Sequence, residues 1–166
     1  MAARHYCIAK ELQAQGHEVT YFMWQHPFGI TKKELLKHLF TSLIPRTHQQ
    51  RGFTVHKAIR LPLFWPVING WIFKAQLRRL FKTIDADIIF TESYTNETEV
   101  PKELPFIYDL ADDYAGPSEV YGSRIYKFAF RLLGVRTVMR RQCKNALAVT
   151  AVSSMLYNFA KQFNDN

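Results

Sequence analysis

The chain has 166 residues, 48% of them hydrophobic and 14% aromatic, and its formal net charge at pH 7 is +8. This length and apolar content predict a single domain over residues 1–166. No apolar run approaches the roughly 20 residues of a membrane span, the N-terminus lacks the apolar core of a signal peptide, and the two cysteines are too few for a disulfide framework or a zinc site. We therefore expect a cytoplasmic protein without metal or cofactor, two small buried cysteines, and a net charge that favours an anionic partner.

The first half of the chain alternates helix and strand patterns. Residues 2–15 have helical apolar spacing and are followed by a glycine, which is a natural helix stop. Residues 18–24 are rich in β-branched and aromatic types and predict a strand. Residues 31–43 begin with a capping-box pattern and predict a helix, and residues 53–59 alternate like a strand near a sheet edge.

The second half continues the alternation, and its clearest element is an amphipathic helix at residues 67–84. Gly134 is a weak point in a second predicted helix. The helices are predicted at residues 67–84, 119–143 and 153–166, and the strands at 87–90, 106–110 and 147–152. This alternation predicts an α/β domain with a doubly wound, mostly parallel sheet of about five or six strands and helices on both faces.

A cluster of carboxylates follows the predicted strand 106–110, at the end of the strand where open α/β sheets bind ligands. It contains Asp109, Asp112 and Asp113. Carboxylates at such a position can act as a general base, orient a sugar hydroxyl or hold a cation. The structural alternative is an ordinary loop in which one Asp caps the following helix.

Two other predicted strands also end in polar residues. His26 follows the strand 18–24, and Glu92 and Ser93 follow the strand 87–90. These side chains can contact a polar ligand at the carboxyl edge of the sheet, whereas the alternative for Ser93 is a capped turn. None of the six histidines pairs with another at the helical spacing of a zinc site.

Basic residues concentrate in the segment 119–144, which has seven of them against one acid, and the segment 61–73 is almost entirely apolar. Basic side chains beside exposed aromatic rings suit an anionic membrane surface. The alternative is a solvated helix face and a buried loop, and a nucleic-acid partner is not expected because no recognition motif is present. The residues expected at the membrane surface are Arg124, Lys127, Arg131, Trp65 and Trp71.

Four segments, in order, resemble the N-terminal domain of the retaining glycosyltransferases of family four, which have the GT-B fold. Residues 9–20 are similar to that family's first helix, its Gly-His-Glu-Val turn and the next strand. Residues 86–90 resemble the strand after the central helix, residues 104–113 the Pro-x-x-Tyr-Asp-x-x-Asp strand and loop, and residues 148–153 the closing strand with its Ser.

The resemblance implies a Rossmann-like half of a GT-B fold, without the family's opening strand and its C-terminal donor domain. In this family a sugar moves from a nucleotide diphosphate sugar to a glycan or lipid-linked acceptor, with retention at the anomeric carbon and no required metal. The nucleotide sugar would bind through the missing C-terminal domain, so the chain alone is expected to be inactive. The expected place of action is the cytoplasm or the inner face of the membrane, in building cell envelope polysaccharide.

The resemblance also assigns residue roles, with one departure from the family pattern. Many relatives have a His at the position of Ala111, which puts the usual catalytic contact in doubt. The expected catalytic residues are Asp112 and Asp113, and the expected acceptor-binding residues are His26, Asp109, Glu92, Ser93 and Ser153. The alternative to a transferase is a non-catalytic α/β module that binds an anionic surface or ligand.

Overall fold

A computed structural model describes residues 3–23, 46–61, 66–113 and 134–165 of the chain. Over these residues the structure is mixed α/β. The helices are α1 (Ala3–Ala14), α2 (Pro66–Thr83), α3 (Val135–Asn145) and α4 (Ser154–Ala160). The strands are β1 (Thr20–Met23), β2 (Arg46–Gln50), β3 (Phe53–Lys57), β4 (Ile89–Thr91), β5 (Phe106–Leu110) and β6 (Ala148–Ala151). The chain divides into two compact units, Met1–Pro62 and Leu63–Asn166.

In the first unit, the described strands form a three-stranded sheet in the order β1-β3-β2. β3 runs parallel to β1 and antiparallel to β2, and Arg51 and Gly52 connect β2 to β3 with positive φ angles of 52° and 84°. These angles fit a two-residue hairpin turn, in which Gly52 adopts its conformation without a steric penalty. The core lies at Phe53, whose ring packs edge-on against the rings of Tyr6 and Tyr21.

The second unit contains a fully parallel sheet in the order β4-β5-β6. β5 is its middle strand and is almost wholly buried, with Phe106, Tyr108 and Leu110 in the core. The apolar side of α3 is also buried, as its Val, Met and Cys side chains at the helical spacing predict. None of the described helices combines the length and the apolar character needed to cross a bilayer.

The structure confirms the predicted α/β class and most of the predicted elements in the described residues. Helices α1 and α2 lie within one residue of the predicted bounds, β5 has the predicted bounds, and α3 starts directly after the left-handed Gly134. The last helix was expected to reach the chain end, but it stops at Ala160. The predicted helix 31–43 and residues 119–133 lie outside the described residues.

The sheet prediction needs two corrections. The described strands number six, but they form two three-stranded sheets with one antiparallel pair, instead of one sheet. The predicted edge strand at residues 53–59 is the middle strand β3 of the described sheet, and one of its two neighbours is β2, an edge strand that the sequence did not predict. β2 was missed because its sequence, Arg-Thr-His-Gln-Gln, has no apolar alternation, and four of its five residues are exposed.

Candidate functional site

The polar segments that follow β4, β5 and β6 lie at one edge of the parallel sheet, which we call the carboxyl edge. The strand register pairs Thr91 with Tyr108 and Leu110 with Ala151, so the three strands end close to one another. Because parallel strands present their carboxyl ends on one side, the residues just beyond them are neighbours in space. The residues at the carboxyl edge are Glu92 and Ser93 after β4, Asp112 and Asp113 after β5, and Ser153 after β6.

Asp109 belongs to the sheet itself, because it is the fourth residue of β5 and its side chain is buried. Its Oδ1 accepts a hydrogen bond of 2.6 Å from the hydroxyl of Thr150, its register partner on β6. A buried carboxylate needs such partners, since leaving it unsatisfied would cost the full desolvation penalty. The hydrogen bond therefore links two strands directly beneath the carboxyl edge.

Asp112 and Asp113 lie beyond the strand and are reachable from solvent. Asp112 is exposed and Asp113 is half-buried. Oδ1 of Asp112 accepts a hydrogen bond of 2.8 Å from the backbone N–H of Asp113, which restrains the carboxylate. A surface carboxylate held in this way can accept hydrogen bonds from the hydroxyl groups of a polar ligand.

The two serines at the carboxyl edge have local structural contacts. Ser93 is buried; its backbone N–H donates to the Thr91 hydroxyl at 3.2 Å, and its own hydroxyl donates to that of Thr98 at 3.0 Å. Ser153 is the N-cap of α4 and accepts a hydrogen bond of 3.3 Å from the backbone N–H of Leu156. These contacts match the capping alternative. Glu92 is half-buried beside Ser93.

A nearly buried carboxylate fixes the loop between β4 and β5. The side chain of Glu99 is 9% exposed, and its two oxygens accept hydrogen bonds of 2.6 Å from the Lys74 ammonium and from Nε of Arg141. Lys74 lies in α2 and Arg141 in α3. We call these three residues the Glu99 clamp, because they join both helices to the loop that follows β4.

Asn96 in the same loop packs closely against two glycines. A Cβ atom built on Gly70 in α2 would lie 2.5 Å from the backbone oxygen of Asn96, and one on Gly134 would lie 2.5 Å from its side-chain nitrogen. The side-chain oxygen of Asn96 accepts a hydrogen bond of 3.1 Å from Arg141. At Gly70 the near atom is backbone, so the loop approaches α2 this closely only because that position lacks a side chain, whereas a Cβ at Gly134 would displace the Asn96 side chain.

The sequence did not indicate that this loop is buried. The acids of the Asn-Glu-Thr-Glu segment resemble an ordinary solvated turn, yet Glu97 and Glu99 are both buried. Two glycines were the available sequence signals for close packing of this loop: Gly70, inside an otherwise regular helix, and Gly134, inside the predicted helix 119–143. A glycine inside a helical pattern often has a packing reason.

The remaining predicted site residues lie elsewhere. Trp71 is exposed on α2. The residues His26, Trp65, Arg124, Lys127 and Arg131 lie outside the described residues.

The two cysteines differ, so the expectation that both are buried is confirmed for one and wrong for the other. Cys143 is fully buried in α3, and burial raises the pKa of its thiol to about 12. Cys7 is exposed on α1. One face of a 12-residue helix on a small unit is in contact with solvent, and a single Cys does not indicate whether it lies on that face or on the buried one.

No protein family, no curated protein and no solved structure matches this chain.

Proposed function

We propose that this chain is the acceptor-binding domain of a retaining glycosyltransferase that moves a sugar from a nucleotide diphosphate sugar to a glycan or lipid-linked acceptor. The observation that carries the proposal is the carboxyl edge, where Asp112, Asp113 and Glu92 follow neighbouring parallel strands. In this proposal the sheet belongs to a Rossmann-like, GT-B-type domain. Donor binding is assigned to residues outside these 166.

The carboxylates suit a ligand with many hydroxyl groups, because an ionised carboxylate accepts hydrogen bonds and donates none. Asp112 and Asp113 are assigned the acceptor hydroxyl, and one of them would act as its general base. General-base catalysis contributes about 10²–10⁴-fold in rate. The hydrogen bond from Thr150 to the buried Asp109 carboxylate links β5 to β6 beneath the carboxyl edge, so Asp109 has a positioning role.

The test begins with binding of soluble oligosaccharides to the isotope-labelled chain, followed by nuclear magnetic resonance. Saturable shifts of the signals of residues 92, 112 and 113 are expected. The double variant Asp112→Asn, Asp113→Asn should weaken binding at least fivefold, about 1 kcal/mol, because it loses charge-assisted hydrogen bonds to the sugar. Asp87→Asn is the matched control, since Asp87 is an exposed carboxylate before β4, at the other end of the strand. Equal loss in the control, or no shift with any sugar, would contradict the proposal.

The second arm tests transfer itself. The 166-residue chain should not turn over any nucleotide sugar at a catalytic rate, whereas a longer chain with a donor domain should. In that longer chain, Asp112→Asn and Asp113→Asn should lower kcat by at least tenfold. A change of less than twofold would reject the catalytic assignment.

The second candidate function is a non-catalytic α/β module that binds an anionic surface. The observation that favours it is charge: residues 134–165 contain five basic side chains and one acid. Turnover of a nucleotide sugar by the longer chain distinguishes the two candidates, because a pure binding module has none.

A further inference from the structure

One face of α3 is a stripe of basic side chains. Arg136, Arg140 and Lys144 are spaced at i, i+4 and i+8, and all three are exposed. The buried residues of α3 lie on the opposite side of the helix, so the stripe points away from the core of this unit. No acidic residue occurs anywhere in α3.

An apolar stripe adjoins the basic one. Met155 is 61% exposed, and Phe159 and Phe163 continue the same four-residue spacing, with ring centroids 5.3 Å apart. The Arg140 guanidinium lies 6.0 Å from the centroid of the Phe163 ring. The two stripes are held together because the Asn164 side chain donates hydrogen bonds of 2.8 Å to two carbonyls at the end of α3.

We propose that these six residues, the α3–α4 surface, dock the protein on an anionic phospholipid membrane. The α3–α4 surface consists of Arg136, Arg140, Lys144, Met155, Phe159 and Phe163. At a membrane interface the basic side chains meet lipid phosphates while the Met and Phe side chains enter the region between headgroups and acyl chains. This inference does not depend on the sugar-transfer proposal.

The apolar residues decide between a membrane and a nucleic acid. The apolar part of the α3–α4 surface consists of Met155, which is largely exposed, and the half-buried rings of Phe159 and Phe163. Phosphate contacts of a nucleic acid would use the basic stripe but leave these side chains in water. A membrane accommodates both kinds of side chain.

The experiment is co-sedimentation of the full chain with vesicles of phosphatidylcholine, with and without phosphatidylglycerol. Binding should require phosphatidylglycerol and weaken at high salt. Each basic residue near an anionic surface contributes about fivefold in affinity, so Arg136→Gln, Arg140→Gln and Lys144→Gln together should weaken binding on the order of a hundredfold. The matched control removes the same charge from exposed positions elsewhere, with Arg79→Gln, Lys82→Gln and Lys102→Gln.

A second variant, Met155→Ser, tests the apolar half of the surface without changing the charge. Met155 is exposed, so the fold should be unaffected, which circular dichroism checks. Vesicle binding should fall about tenfold, because the side chain no longer leaves water, while any binding to single-stranded RNA should not change. The proposal is overturned if the control triple variant loses as much affinity as the α3 variant, if Met155→Ser binds vesicles like the parent, or if RNA binds more tightly than the vesicles.

Discussion

Replacing Glu99 by Gln tests whether the Glu99 clamp holds the second unit together. The change keeps the volume of the side chain but removes the charge that two cations share at 2.6 Å each. Truncating a fully buried ion pair costs about 3–5 kcal/mol, whereas an exposed pair is worth at most about 1 kcal/mol. Lys74 is 26% and Arg141 is 47% exposed, so both can recover part of their hydration, and we expect a loss of about 2–3 kcal/mol.

The assay is urea unfolding of parent and variant, followed by far-UV circular dichroism, with a fall in Tm of roughly 5–10 °C as the thermal equivalent. The matched control is Glu103→Gln, because Glu103 pairs with Arg78 while 49% of its side chain is exposed, and its loss should stay below about 1 kcal/mol. If the two variants lose the same free energy of unfolding within about 0.5 kcal/mol, the Glu99 carboxylate is solvated and the Glu99 clamp does not hold the second unit together.

The Glu103–Arg78 pair also makes the free energy of unfolding depend on pH. The hydrogen bond from Arg78 lowers the pKa of Glu103 below its ordinary value. The folded state therefore favours the charged carboxylate, so the contribution of this pair is complete well above pH ~4.3, the ordinary pKa of a Glu, and fades as the pH falls below it. Glu103→Gln should remove this part of the acid dependence of unfolding.

The remaining predictions concern single side chains. Native protein should react with one maleimide, at the exposed Cys7, and with a second at Cys143 only after unfolding; two rapid adducts on native protein in mass spectra would contradict the burial of Cys143. The free energy of unfolding should fall above pH ~8.5, because the thiol of Cys143 ionises there in the unfolded chain but not in the folded protein, where burial raises its pKa to about 12. Asp109→Asn should destabilise by about 1–3 kcal/mol because it weakens the hydrogen bond that the buried Asp109 carboxylate accepts from Thr150, and a loss below about 0.5 kcal/mol in urea unfolding would refute this prediction. Gly70→Ala should destabilise, although Ala in a helix normally gains about 1 kcal/mol over Gly, since its Cβ would meet a backbone oxygen at 2.5 Å; a raised Tm would refute the close approach.

The sequence predicted the elements whose side chains follow a regular period. In α2, the apolar face with its buried Phe73 and Leu77 made the helix recognisable, and β5 was recognisable as a short apolar run. β2 was not recognisable, because a polar edge strand is held by backbone hydrogen bonds to β3, and these leave no pattern in the side chains.

The candidate site was predictable only in part, because contacts between residues far apart in sequence leave no local pattern. Strand ends indicated where Asp112 and Asp113 would lie, since the carboxyl edge follows from chain order in a parallel sheet. The Glu99 clamp depends on residues far apart in sequence, and the identity of a charged residue does not indicate whether it is buried with partners. The chemistry of the carboxyl edge and its ligand remain predictions.

The Glu99 clamp has a consequence for the order in which the second unit is assembled. Its two cations lie 25 residues before and 42 residues after the carboxylate. On the ribosome, Lys74 can reach Glu99 long before Arg141 has been synthesised, and contacts across long loops form late because closing them costs chain entropy. A nascent chain that ends before α3 therefore holds a Glu99 carboxylate with one of its two cationic partners and an incompletely packed Asn96 loop. The second unit reaches its full stability only when α3 docks, so the contact between Arg141 and Glu99 should act mainly on the rate of unfolding.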